Sequence, residues 1–266
     1  MGTSKGYKMP SGGNWEPLKR EATDFVKNDG AGSVAPKTLL RDYVKVRSTS
    51  SGSGGGGAAG GGGIGGGSGG SGGGSGRGGR ARSFGAGVAT AQRLGGFISR
   101  VGEVGLADAL REAGLGDLVG KSAAEVSAAL LDKLAGPAST LDQAAAREAL
   151  VLLNDELLAQ TETFEDVEQA LGKIADEGGL LGILLHFFGH YIYQCFCTDF
   201  YERFVMKVGS SRATSSLKSI RDYIQHAIKG KLAGTDVKKF TWSGRDGQRL
   251  SEQVLGDVCD IFEVPA

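Results

Sequence analysis

Residue types able to do chemistry gather in two stretches of this chain. The first is Gly120-Lys121-Ser122, which ends like a phosphate-binding loop, where backbone amides, a lysine and a hydroxyl hold phosphate and magnesium. That loop needs a glycine five residues before its second one. Position 115 is Leu115, with Gly114 and Gly116 missing it on either side. A short helix, not a strand, is expected before it. Ser122 with Glu125 also reads as a capping box, in which hydroxyl and acid satisfy orphan backbone donors of a helix start. Nucleotide binding is not expected here.

The second stretch is HFFGHYIYQCFC, residues 186–197. His186 and His190 stand four apart, on one helical face. Zinc proteases use that spacing but place a glutamate after the first histidine as general base, and here Phe187 occupies that position. Two uses remain: imidazoles hydrogen-bonded in a core, which is the expectation, or a structural metal held by His186, His190 and Cys197 with a fourth ligand not identified. Cys195 and Cys197 lie about 200° apart around a helix and cannot pinch one metal. His226 is the third histidine and sits among Arg221, Lys229 and Lys231, so no Ser-His-Asp or Cys-His-Asn set can be placed. Glu165 and Asp166 read as a solvated first turn that favours the helix dipole. By elimination the chain is not expected to be an enzyme, and no cofactor or metal is expected.

The elements that carry these residues read as helical almost throughout. From Phe84 onward, helices are predicted near 86–101, 104–113, 122–135, 140–160, 164–177, 180–207, 214–230 and 247–262. Thr140 and Gln143 form a second capping box, and Gly136-Pro137 and Gly209 are stops. Only VKKFTWS, 237–243, hints at extended structure. Residues 178–198 contain no Asp, Glu, Lys or Arg and are long enough to cross a bilayer. Histidines, Gln194 and glycines within the run favour a core helix that is apolar on all sides.

Before this body lie two short helices, predicted near 17–28 and 36–47 behind Pro17 and Pro36. The second sets Leu39, Leu40, Tyr43, Val44 and Val46 among Lys37, Arg41, Lys45 and Arg47. Such a pair docks on the body or waits for a partner. Residues 48–83 form a stretch of glycine and serine too poor in apolar side chains to offset the entropy of ordering. A flexible tether is expected, with a root-mean-square reach of roughly 30 Å. Arg77, Arg80 and Arg82 could touch nucleic acid weakly. The expected fold is therefore all-α: a helical bundle at 84–266, a disordered Gly-rich linker at 48–83, and an N-terminal tail and short helical arm at 1–47.

Charge is uneven although the chain is neutral overall. Residues 1–83 hold twelve Lys/Arg against five Asp/Glu, and the body holds the compensating acidic surplus. Three cysteines are too few for a disulfide framework, and the start lacks the apolar core of a secretory signal. A cytoplasmic protein without membrane insertion is expected.

The opening MGTSKGYKMP, the glycine-rich stretch with its arginines, and the helical run AGLGDLVGKSAAEVSAALLDKLAGPASTLDQAAAREAL together resemble the QatB family of the bacterial Qat anti-phage defence system. The opening departs from the family at Gly6, Lys8 and Met9. The resemblance implies three partners: a QueC-like enzyme (QatC), an ATPase (QatA) and a TatD-like nuclease (QatD). QueC-like chemistry activates a carboxy-deazaguanine with ATP and lets an amine attack the acyl adenylate. With Met1 removed, Gly2 would present an unhindered α-amine whose pKa lies near 7.7 to 8, far below that of lysine. The resemblance thus implies that Gly2 is modified with a deazapurine, and that Gly2, Thr3, Ser4, Tyr7 and Pro10 are read by the partner, Tyr7 as aromatic anchor. The alternative is a scaffold that tethers ATPase and nuclease unmodified. Myristoylation at Gly2 fits poorly, because Gly6 stands where Ser or Thr is wanted.

Overall fold

A computed structural model of the chain describes residues 9–28, 34–50, 83–176, 179–232 and 245–263. Among them stand ten α-helices, one 3-10 turn and no strand. The segment 237–243, read as possibly extended, lies outside the described residues. The helices are α1 (Trp15–Lys27), α2 (Pro36–Ser50), α3 (Gly85–Val104), α4 (Leu106–Glu112), α5 (Ala123–Ala135), α6 (Leu141–Leu158), α7 (Phe164–Asp176), α8 (Leu180–Val208), α9 (Ser210–Leu232) and α10 (Arg245–Glu263). The all-α architecture is the expected one.

Local chemistry explains the boundaries. Ser122 and Glu125, and Thr140 and Gln143, form complete reciprocal capping boxes at the starts of α5 and α6. A third start is similar: Asp166 accepts from the Thr163 and Glu162 amides at 3.0 and 3.1 Å, while Thr163 Oγ1 accepts from the Asp166 amide. The acid read as merely solvated is therefore a cap, and these bonds lower its pKa. Gly209 has φ of 82° and is the lone residue between α8 and α9. Such a left-handed turn favours glycine, and it lets α9 begin at Ser210, four residues before the position predicted.

α8 is the axis of the fold. It packs against α1, α3, α6, α9 and α10, and Phe187, Phe188, Ile192, Phe196, Phe200 and Phe204 along it are buried. By length and composition it is long enough to cross a membrane, yet more than half of its apolar window is buried within the fold. Its all-round apolar surface is what a helix needs when other helices cover every side. Gly189 lets α9 come close, since a Cβ there would lie 2.2 Å from Ile228 Cδ1.

The N-terminal helices share this core. α1 packs on α2 and α8, and α2 on α10, burying Trp15, Leu18, Phe25, Leu39, Tyr43 and Val44. Ser83 Oγ donates to the Ser48 carbonyl at 3.5 Å, so the described ends of the glycine-rich stretch meet. Of the two possibilities left open for the helical arm, docking on the body or waiting for a partner, the fold takes the first: apolar contacts hold the arm on the body.

Candidate functional site

Two places on the described molecule bring charged and polar side chains together around the arm, and they share Asp199. The first is a buried junction where α2, α6 and α8 converge. Arg47 Nη1 donates to Asp199 Oδ2 at 2.9 Å and to the Tyr43 hydroxyl at 3.0 Å, and Arg47 Nη2 donates to Asp142 Oδ1 at 3.0 Å. Tyr43 OH donates to Asp199 at 2.8 Å, and Tyr191 OH to Asp142 at 2.6 Å. The Ala86 amide, at the start of α3, donates to the other Asp142 oxygen at 3.0 Å. The Arg47 guanidinium also lies 5.1 Å from the Phe84 ring centre, a cation–π placement.

Helix geometry creates this arrangement. Tyr43 and Arg47 are four apart on α2 and so project on one side, facing Asp199 in the middle of α8. Asp142 sits in the first turn of α6, where the helix dipole favours a carboxylate. Burial works against the charge on Arg47, but Tyr43, Cys195 and Asp199 around it raise its pKa well above the usual range. Burial raises the Tyr43 and Tyr191 pKa values and pushes the Cys195 thiol up to about 12. Tyrosines and thiol therefore stay protonated at neutral pH, and such a thiol is a poor nucleophile. The junction can hold three helices and both edges of the glycine-rich stretch in register; the two terminal nitrogens of Arg47 and both carboxylates are engaged with one another, while Arg47 Nε is buried without a hydrogen-bond partner.

The second place is a cleft of about 180 Å³ lined by Met9, Lys19, Thr198, Asp199, Glu202, Arg203 and Met206. Met9 packs against the hydrophobic core, and Pro10 beside it is half-buried. Lys19 pairs with Glu16 at 2.7 Å, and Arg203 donates to Thr23 Oγ1 at 2.9 Å. Met206 is nevertheless 76 % exposed at the rim. Met9, which lines this cleft, directly follows residues 1–8 in the chain.

Of the residues expected to be read by a partner, Gly2, Thr3, Ser4 and Tyr7 lie outside the described residues. Pro10 lies at the edge of the described body, one residue past Met9. Ser122 is committed to its cap, with its Oγ 2.7 Å from Glu125 Oε2. His190, 3 % exposed, faces Glu156 at 3.1 Å, and His186 reaches the same carboxylate oxygen at 3.8 Å. Arg221 stands 3.9 Å from the other Glu156 oxygen. Burial lowers the His190 pKa against the opposing pull of Glu156. Cys197 has Tyr193 as its hydrogen-bond neighbour, and burial raises its thiol pKa to about 11. No group of three or more His, Cys, Asp or Glu side chains suited to a metal occurs among the described residues.

Sequence reasoning missed Glu156 as the partner of both histidines and the whole Arg47 junction. Arg47 and Asp199 are 152 residues apart, and no spacing pattern connects them. Tyr43 and Arg47 at i and i+4 were the available signal, overlooked because Arg47 also suits a solvated flank.

No curated protein and no solved structure matches the chain. Residues 73–262 match the family described as Qat anti-phage system associated protein QatB. The match covers most of the chain, including the helices α3 to α10 that form the junction's α6 and α8 walls, and the chain belongs to the QatB family of the Qat anti-phage system.

Proposed function

We propose that this chain is a non-catalytic member of a cytoplasmic anti-phage assembly whose N-terminal tail is presented to a QueC-like enzyme, QatC, and modified there. Met1 is removed, and the Gly2 α-amine attacks the carbonyl of a deazapurine acyl adenylate. The new amide C–N bond forms as the C–O bond to AMP breaks, and the amine gives up a proton. ATP has already been split to AMP and pyrophosphate in activating the acid. At cell pH a sizeable fraction of an α-amine is neutral and nucleophilic, unlike a lysine amine.

The observation that supports this reading is the anchoring of the tail's root. Met9 lies on the core beside the cleft, and Trp15 begins a buried helix a few residues on, so Gly2 to Tyr7 start from a fixed point of the surface. The ATPase QatA and the TatD-like nuclease QatD complete the proposed assembly around the helical body. Intact-mass spectrometry of the chain co-expressed with these neighbours tests the reading. The expected result is loss of Met1 plus the mass of one deazapurine acyl group on Gly2. An unmodified Gly2 under conditions of active defence counts decisively against it.

The scaffold alternative gives a different pattern. A tail that only docks tolerates residues added ahead of Gly2, whereas a reacting amine does not.

A further inference from the structure

We propose that the cleft at the root of the tail, with Met206 at its rim, is the seat of the folded protein that receives the tail. The proposal rests on the reading of the tail given above, and adds that recognition extends from the peptide onto the body. Tyr7 lies two residues from Met9, at most about 7 Å of extended chain, and Gly2 lies seven residues away, at most about 25 Å. A protein that encloses Tyr7 is therefore already upon the surface where Met9 is seated.

That surface has the composition of a contact. Met206 is the most exposed of the three large apolar side chains that the described residues leave open, and it stands in the last turn of α8 on the same side as Asp199, Glu202 and Arg203. Methionine adapts its shape to a partner's surface more readily than branched side chains do. Lys19, Glu202 and Arg203 supply charge of both signs around the cleft, the arrangement of a polar rim about an apolar centre. The partner that fits offers an apolar side chain to enter between Met9 and Met206, flanked by an acid for Arg203 and a cation for Glu202.

The test is calorimetric binding of the full chain to the purified QueC-like enzyme, beside a synthetic peptide GTSKGYKMP. Met206→Glu is expected to weaken binding tenfold or more with the melting temperature unchanged, whereas Tyr201→Ala, on another side of α8, is expected to leave affinity unchanged. The peptide is expected to bind more weakly than the chain. Wild-type affinity in Met206→Glu, or a peptide that binds as tightly as the chain, overturns the proposal. So does a Met206→Glu variant that splits a homodimer while keeping its affinity for the enzyme, since a second copy then covers the cleft. A chain lacking residues 1–8 separates the two readings. If it binds as tightly as wild type and still depends on Met206, the surface stands and the tail reading falls. If it loses binding altogether and Met206 is silent, the tail reading stands and the surface falls.

Discussion

The junction around Arg47 and the cleft beside Met9 lie on either side of Asp199 and depart from the usual partition of side chains in opposite senses. At the junction Asp199 and two tyrosines are taken out of water, and Arg47 and Asp142 are half-buried beside them. At the cleft a methionine, Met206, is left in it. Buried charge is expensive unless each charge meets an opposite one, and here Arg47 meets both Asp142 and Asp199. Exposed apolar side chains cost solubility and gain nothing in an isolated chain. One region is thus complete in itself, and the other is completed by something that comes to it.

The sharpest way to break this contrast is to remove the arginine. Arg47→Met leaves Asp142 and Asp199 without their cation, a change that costs about 3 to 5 kcal/mol in comparable buried pairs. For a domain of this size that corresponds to a fall in melting temperature of about 10 °C. Tyr43→Phe removes one donor to Asp199 and should cost about 1 kcal/mol. Met206→Glu, across Asp199, should leave stability within about 0.5 kcal/mol of wild type. Equal losses from Arg47→Met and Met206→Glu in thermal melts would erase the distinction between the two regions.

Gly87→Ala probes the same junction from its apolar side. A Cβ at Gly87 would lie 2.1 Å from Tyr191 Cε1 and 2.8 Å from Cζ, within the ring that donates to Asp142. Tyr191 is buried and cannot swing clear, so overpacking should cost about 1 to 3 kcal/mol. Gly189→Ala meets the end of the Ile228 side chain instead, and should cost less. Chemical denaturation of the two variants orders them.

How far these features were legible follows from how local they are. The capping boxes at Ser122 and Thr140, the stop at Gly209 and the all-round apolar run of α8 each depend on residues within a few positions, and each was readable. In the sequence Asp199 merely follows the charge-free run 178–198; in the fold it is 2 % exposed on its side chain and central. Its partners come from α2 and, through Arg47, from α6, distances along the chain that periodicity does not report. Docking of the arm was left open for the same reason, because an amphipathic helix looks alike whether its mate is in the same chain or another.

Acid provides a smaller test, away from both regions. The folded pKa of His190 is lowered, chiefly by burial, with the Arg221 and His186 charges acting in the same direction and Glu156 opposing. The unfolded chain therefore takes up this proton more readily. Stability owed to neutral His190 is present above about pH 6.5 and is lost as pH falls below that value. His190→Gln should flatten the decline of melting temperature between about pH 7 and pH 5.

The smallest effect concerns the glycine-rich stretch. If residues 51–82 served to hold the arm at a distance, shortening them would strain or detach it. With Ser48 and Ser83 joined by a hydrogen bond and Arg47 tied to Asp142 and Asp199 beside them, the arm's position is set by packing and ion pairs. Replacing residues 51–82 by about eight glycine and serine residues halves the connection twice, and each halving lowers the cost of closing a loop by about 0.6 kcal/mol. The shortened chain should melt slightly higher than wild type, by about 1 kcal/mol in stability. A protease cut placed in the same stretch should leave the two pieces eluting together, because the buried faces of α1 and α2 have their mates in α8 and α10. Separation of the pieces on gel filtration, or a lower melting temperature on shortening, would return to the stretch a mechanical role in placing the arm.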